Sequence, residues 1–167
     1  MDQPRIDGLR VRQMFGSGVS GTVYWAEDES GTALAVKVFQ GMSINRALMA
    51  KATARLEIGG WPAGVMPIVS TTFDGRPALR VTACYNDDNG RPSSLQHRLG
   101  SYPAVNSWEI VRELAAALAA MHNRQVAHGN LKPGNVFFSE SGSLILTDWA
   151  MGQMPGIGHL EYADAFL

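Results

Sequence analysis

Residues 127–136 read AHGNLKPGNV. Within them stand an imidazole (His128), two carboxamides (Asn130 and Asn135) and an ammonium (Lys132), spaced by Gly129, Pro133 and Gly134. Glycine and proline set the backbone for turns, so the stretch reads as a tightly bent loop. A loop that handles a proton needs a group with a pKa near the working pH. Asn130 is a neutral carboxamide and offers no such group.

Working outward, Ser107 is a plausible cap for the helix before the loop. Ile110, Val111, Leu114, Leu118 and Met121 form one apolar face over 107–123. After the loop, VFFS (136–139) and SLILT (143–147) predict a short hairpin around ESG, followed by TDWA (147–150). Further upstream, NDDNGRPSS (86–94) is polar and rich in turn residues, and reads as a hinge. SLQHRLG after it predicts a short helix, and residues 152–167 carry no strong pattern.

The N-terminal half reads as antiparallel β structure. LRVRQMF (9–15), TVYWAED (22–28) and ALAVKVF (33–39) predict strands, joined by a glycine turn at 16–21 and a hairpin turn at 29–32. Ser43 is placed to cap a helix whose stripe is Ile44, Leu48, Ala52 and Leu56, stopped by GGWP (59–62). VMPIVSTTF (65–73) and PALRVTACY (77–85) predict two more strands around DGRP.

GSGVSGTVY supplies Gly16, Gly18 and Gly21 in a G-x-G-x-x-G pattern. A dinucleotide fingerprint needs a helix after the loop, and the residues that follow, Val23, Tyr24 and Trp25, are strand formers. A P-loop needs Gly-Lys where Gly21-Thr22 stands. Two readings stay open: a plain turn, or a loop whose side-chain-free backbone approaches phosphates. Lys37, one hairpin later among apolar neighbours, either enters a cleft or snorkels to the surface.

The bulk composition excludes several classes. The chain has 167 residues, 46% hydrophobic and 17% charged, with net charge -1, which suits a globular fold and offers no basic surface for nucleic acid. Cys84 is the single cysteine, so no intrachain disulfide forms, and its apolar setting reads as a buried hydrophobe. His97, His122, His128 and His159 show no metal-ligand spacing. Absence of a long apolar run or an apolar N-terminal core gives a cytoplasmic expectation with no membrane contact.

GSGVSGTVY, AVKV, HGNLKPGN and TDWA, in that order across residues 16–150, resemble the motifs of a protein kinase domain of the bacterial serine/threonine type. The resemblance implies an α+β two-lobe fold: an N-lobe over 1–85 with a five-stranded antiparallel sheet and one main helix, a hinge over 86–94, and a partial helical C-lobe over 95–167. It implies ATP and Mg2+ as cofactors. Gly16, Gly18, Gly21, Val23 and Lys37 would meet the nucleotide, and Asn135 and Asp148 the metal. His128, Lys132 and position 130 belong to the catalytic loop, and Trp149 takes a packing position usually held by phenylalanine.

The chain also departs from that pattern. Asn130 replaces the aspartate that orients the substrate hydroxyl. Ala52 stands where a helix glutamate should answer Lys37, on the stripe expected to face the sheet. Glu57, five positions on, is rotated by about 140° to another face. Gly129 replaces an arginine that receives an activation-segment phosphate, and residues 152–167 offer only Tyr162 as a hydroxyl. Ala150 replaces a glycine and should resist positive φ, which restrains the segment. The resemblance breaks off inside the activation segment, as in a truncated domain.

Three functions follow from this reading: a pseudokinase that binds nucleotide as a signalling or scaffold module, a divergent active serine/threonine kinase, or a docking scaffold without nucleotide. A protein partner is expected. Apolar surface on helix 107–123 is expected either to support self-association or to be covered by residues 152–167.

Overall fold

Strand formation in the N-terminal half is clearest in Ala33–Phe39. Leu34, Val36 and Val38 alternate with Ala35 and Lys37, so they rise from opposite faces of an extended chain. The computed structural model describes residues 4–18, 20–39, 46–72, 79–83, 85, 93–99 and 104–150. In it, β1 (Arg10–Gly18), β2 (Gly21–Glu27), β3 (Ala33–Phe39), β4 (Ile68–Thr72) and β5 (Leu79–Ala83) form one sheet in the order β1-β2-β3-β5-β4. All pairings are antiparallel, as the sequence predicts. Leu34, Val36 and Val38 join Ile6, Ala26 and Val81 in a core packed by Leu9, Val11 and Tyr24. The β2–β3 turn is organised by Asp28, whose Oδ1 accepts from the Ser30 hydroxyl (2.6 Å) and from the Ser30 and Thr32 amides (both 2.9 Å). These bonds, the Ser30 hydroxyl first, hold its carboxyl below the usual range.

The chain divides into two compact units. One holds residues 1–42 and 67–84, and contains the whole sheet; the other holds 43–66 and 85–167. The sequence reading drew its boundary at 85/86 and grouped the first helix with the sheet. The division instead places α1 (Arg46–Glu57) in the second unit.

The hydrogen bonds within that second unit give the reason. The last carbonyls of a helix have no internal partner. Arg124 donates Nη1 to the carbonyls of Leu56 and of Gly60, the latter at 2.8 Å. Arg55 returns the bond, from Nη1 to the Gln125 carbonyl at 3.0 Å. The α1 terminus is thus capped by arginine from a distant part of the chain.

The buried stripe of α1 is Met49, Ala52 and Leu56, while Leu48 is 37% exposed. The expected every-fourth spacing through Leu48 fails because four residues overshoot one turn by about 40°. Ser43 and Ile44, the expected cap and first stripe residue, lie outside the described residues, as do Cys84, the DGRP turn, the hinge stretch 86–92 and residues 151–167.

α2 (Leu95–Arg98) follows Ser94, whose Oγ pairs with His97 Nδ1 at 2.7 Å. α3 (Ala104–Asn123) starts directly after Pro103, so Ser107 sits inside the helix rather than capping it. Its buried side is Ala117 and Met121, with Ile110, Leu114 and Leu118 half-buried. Val111, expected on that face, is 50% exposed, and Trp108 is 76% exposed. β6 (Val136–Phe138) and β7 (Leu144–Leu146) form the expected hairpin. It is tethered by the Leu144 amide to Glu113 Oε2 (2.8 Å) and by the Leu146 amide to the Gly64 carbonyl (2.8 Å). Among the described residues, no helix is long and apolar enough to cross a membrane.

Arg124→Met should destabilise the protein by about 2–3 kcal/mol, since it removes charge-assisted bonds to carbonyls that lack helical partners. Urea denaturation measures this. A loss below about 0.5 kcal/mol, the range of ordinary surface substitutions, would contradict the capping role.

Candidate functional site

In the first unit the glycine stretch is shorter as a turn than expected. The β1–β2 ladder runs through Gly16↔Val23 and Ser17↔Thr22 to Gly18↔Gly21. Gly16 to Gly18 are therefore strand residues, and Gly21 opens the returning strand. The glycines differ in their reasons for being glycine. Gly21 has φ +144, and a Cβ there would stand 2.1 Å from the Val38 carbonyl oxygen. A Cβ at Gly16 would meet nothing within 4 Å, so packing does not require its bareness.

Lys37 sits on β3 directly between Val23 of β2 and Arg80 of β5. It is only 6% exposed, so the surface-snorkelling alternative is excluded. Its Nζ lies 5.7 Å from the centroid of Phe39. The sequence reading did not single out Arg80. The available signal was a guanidinium amid an apolar strand, in PALRVTACY.

In the second unit the loop after α3 is closed by carboxamide chemistry. Asn135 Nδ2 donates to the Asn130 carbonyl at 2.7 Å, within buried surroundings. The Asn135 carbonyl accepts the Thr147 amide at 3.0 Å, and its own amide donates to the Lys132 carbonyl at 2.9 Å. The last bond belongs to the 3-10 turn Pro133–Asn135, with Lys132 at its N-cap position. The Asn130 amide donates to His128 Nδ1 at 3.3 Å. Gly129 between them has φ +75, a local reason for glycine there.

Two buried polar atoms in this loop lack hydrogen-bond partners: His128 Nε2 and Asn130 Nδ2. An amide donor therefore occupies the position at which the kinase pattern has a carboxylate acceptor. The His128 imidazole is driven down to about 4 by burial, against the opposing pull of the Asp148 charge and the Thr147 backbone.

Asp148 has φ +58 and Ala150 φ +60. Ala150 was expected to resist this region; the structure adopts it nonetheless, with Ala150 buried at 1% exposure. An L-residue there costs about 1–2 kcal/mol, which surrounding packing must offset. Neighbouring Trp149 supplies such packing. Its Nε1 donates to the Met66 carbonyl at 2.9 Å and its ring lies 5.7 Å from that of Trp61.

Ala52 borders a cavity of about 110 Å³ with Leu48, Lys51, Arg55, Gln125 and Val126, all residues of the second unit. Glu57, the only acid of α1, is exposed. Among the described residues, no group of three or more His, Cys, Asp or Glu side chains could hold a metal. Mg2+ needs fewer protein ligands, since it takes one or two carboxylates together with substrate phosphates. Asp148 and the Asn135 carboxamide are oxygen donors of that hard type, and the Nδ2 bond fixes the Asn135 side chain. The residues present fit the ion.

Comparison with known proteins agrees with this arrangement. No family model matches the chain. Serine/threonine-protein kinase ULK3 of Homo sapiens is 27% identical over 157 residues, covering 90% of this chain and 33% of its own length. Serine/threonine-protein kinase pkn2 of Myxococcus xanthus is 34% identical over 143 residues, covering 81% of this chain and 17% of its own. The maize SIRK1 kinase domain bound to AMP-PNP superposes with TM-score 0.68 at 23% identity, covering 85% of this chain and 51% of that one. The chain is a protein-kinase-like domain, with part of the kinase fold and sequence kinship to serine/threonine protein kinases. It spans about a third of the length of the ULK3 relatives it matches.

Two measurements check the site. Gly21→Ala should destabilise the protein by about 2 kcal/mol or more through its clash with backbone, while Gly16→Ala should stay within about 0.5 kcal/mol. Equal effects in chemical denaturation would contradict the hairpin geometry. For His128 the folded pKa lies below the unfolded value, so the unfolded chain binds the proton more readily. Stability held above about pH 6.5 should fall as pH drops toward 4, by up to about 1.4 kcal/mol per unit. His128→Phe should remove that component, and parallel wild-type and variant curves would refute it.

Proposed function

We propose that the chain binds a nucleoside triphosphate and transfers its terminal phosphoryl group poorly or not at all, acting as a pseudokinase signalling module. The observation that carries this reading is Asn130. Its side chain is buried, and its amide nitrogen has no hydrogen-bond partner, at the position where the kinase pattern has the residue that orients and deprotonates the attacking hydroxyl. A carboxamide has no pKa with which to take up that proton, and general base catalysis is worth about 10²–10⁴-fold. Ala52 stands where the kinase pattern has a second carboxylate.

Each unit keeps groups for binding. The first offers backbone at the glycine hairpin and the ammonium of Lys37; the second offers Asn135 and Asp148. Mg2+, when bound, would neutralise phosphate charge. The kinship to named serine/threonine kinases, with Lys37, Asn135 and Asp148 retained, favours a second reading as a divergent active kinase. Trp108 and Val111, exposed on α3, support a role for that helix in meeting protein, from this chain or another.

Thermal denaturation with ATP and Mg2+ separates the readings. At a hundredfold excess over Kd, ATP should stabilise the fold by about 2.7 kcal/mol, with no phosphoryl transfer to protein substrate. Transfer abolished by Asp148→Ala would overturn the non-catalytic reading. Absence of any shift would overturn nucleotide binding. Asn130→Asp alone should not restore full kinase rates, since Ala52 remains; vigorous transfer by that variant would refute the weight placed on Ala52.

A further inference from the structure

We propose that the cavity beside α1 binds a small dianionic oxyanion of the phosphate class, held by Lys51 and Arg55. The proposal is independent of the nucleotide reading. The cavity lies within the second unit and uses none of the residues assigned above to nucleotide or metal.

Leu48, Lys51, Ala52 and Arg55 of α1 line one side of this cavity of about 110 Å³, and Gln125 and Val126, just after α3, line the other. The lining is of two kinds. Ala52 and Val126 are buried and apolar, whereas Lys51 is exposed and Arg55 half-buried. Charge therefore gathers on the open side of the cavity. Lys51 and Arg55 stand four positions apart on α1, so they are neighbours on one helix face, and like charges at that spacing repel. Glu57, the single acid of α1, is two positions from Arg55 and six from Lys51, spacings that bring it beside neither.

Arg55 is already held in place. Its Nη1 donates to the Gln125 carbonyl at 3.0 Å, which fixes the planar fork against the cavity wall. Neither the rest of that fork nor Lys51 has an acceptor among the described residues. Gln125 itself has φ +57, a left-handed conformation that L-residues other than glycine seldom adopt. Backbone held in this way clusters at ligand-binding positions.

Size and charge select the ligand. Sites for nucleotide-sized molecules run to about 300–1,000 Å³, so a nucleotide has no room here. An apolar molecule would answer neither cation, and a carboxylate brings one negative charge to two positive ones. A phosphate group carries a charge of about −1.5 to −2 at neutral pH. Two of its oxygens can meet the Arg55 fork in parallel bonds, while Lys51 acts as a point charge on another. Free inorganic phosphate and a phosphorylated serine side chain present the same chemistry. Because the Arg55 bond ends on Gln125, three residues before His128, an anion here also bears on the start of the 127–136 loop.

Isothermal titration of the full chain at constant ionic strength tests this, with inorganic phosphate, O-phosphoserine and acetate as probes. Wild type should bind phosphate more tightly than acetate, and the Gln125 and Val126 amide resonances should move on titration. Arg55→Gln should weaken phosphate by about tenfold or more, as for loss of a charge-assisted pair, and Lys51→Gln by several-fold. O-phosphoserine bound as tightly as phosphate would support the proposal with a phosphorylated side chain as the source. Phosphate bound without O-phosphoserine would support it with the free anion as the source. Equal affinity for acetate and phosphate would overturn it, as would unchanged phosphate affinity in either variant or no phosphate binding at all. Should Arg55→Gln fail to fold by circular dichroism, Lys51→Gln, at an exposed position, carries the test alone, and unchanged affinity there would overturn the proposal.

Discussion

The bond from Asn135 Nδ2 to the Asn130 carbonyl, 2.7 Å long and buried, is the constraint on which the second unit's chemistry depends. It closes the loop between the last turn of α3 and β6. Through the Asn135 carbonyl it also reaches the Thr147 amide, the residue before Asp148. A single asparagine thus ties the His128–Asn130 corner to the strand end that presents Asp148. None of these bonds uses a carboxylate at position 130. The loop therefore holds its shape with an amide there, and acid chemistry can be lost while the architecture persists.

That separation of shape from chemistry runs through the molecule. Gly21 is required by the Val38 carbonyl and so belongs to the hairpin's construction, whereas Gly16 has open space around it. Arg124 and Arg55 belong to the architecture too, since they satisfy carbonyls at the ends of helical segments. Lys37 and Arg80, both buried, stand opposite one another across β3 and β5.

Much of this was legible in the sequence. The five strands, the β6–β7 hairpin and the loop at 127–136 follow from alternation and turn residues, because local sterics decide them. Trp149 was readable as a packing residue, and it is buried against Trp61. Other features depend on contacts that local pattern does not encode. The buried stripe of α1 passes through Met49 rather than Leu48, a difference of one residue in phase. Ser107 resembles a cap, yet the helix begins at Ala104. The sheet ladder extends through Gly16 to Gly18 because cross-strand pairing outlasts the glycines' weak strand propensity. The grouping of α1 with the second unit rests on arginine bonds spanning 64 to 70 residues. The pairing of Arg80 with Lys37 emerges only when the β3–β5 register is known.

The most direct measurement is native-state hydrogen exchange at the Thr147 and Asn130 amides, in wild type and Asn135→Ala. If the asparagine bond closes the loop, both amides are protected in wild type and lose protection together in the variant, while β1–β3 amides remain unchanged. Equal protection of Thr147 and Asn130 in both proteins would contradict the account, because the loop would then be held by something other than Asn135.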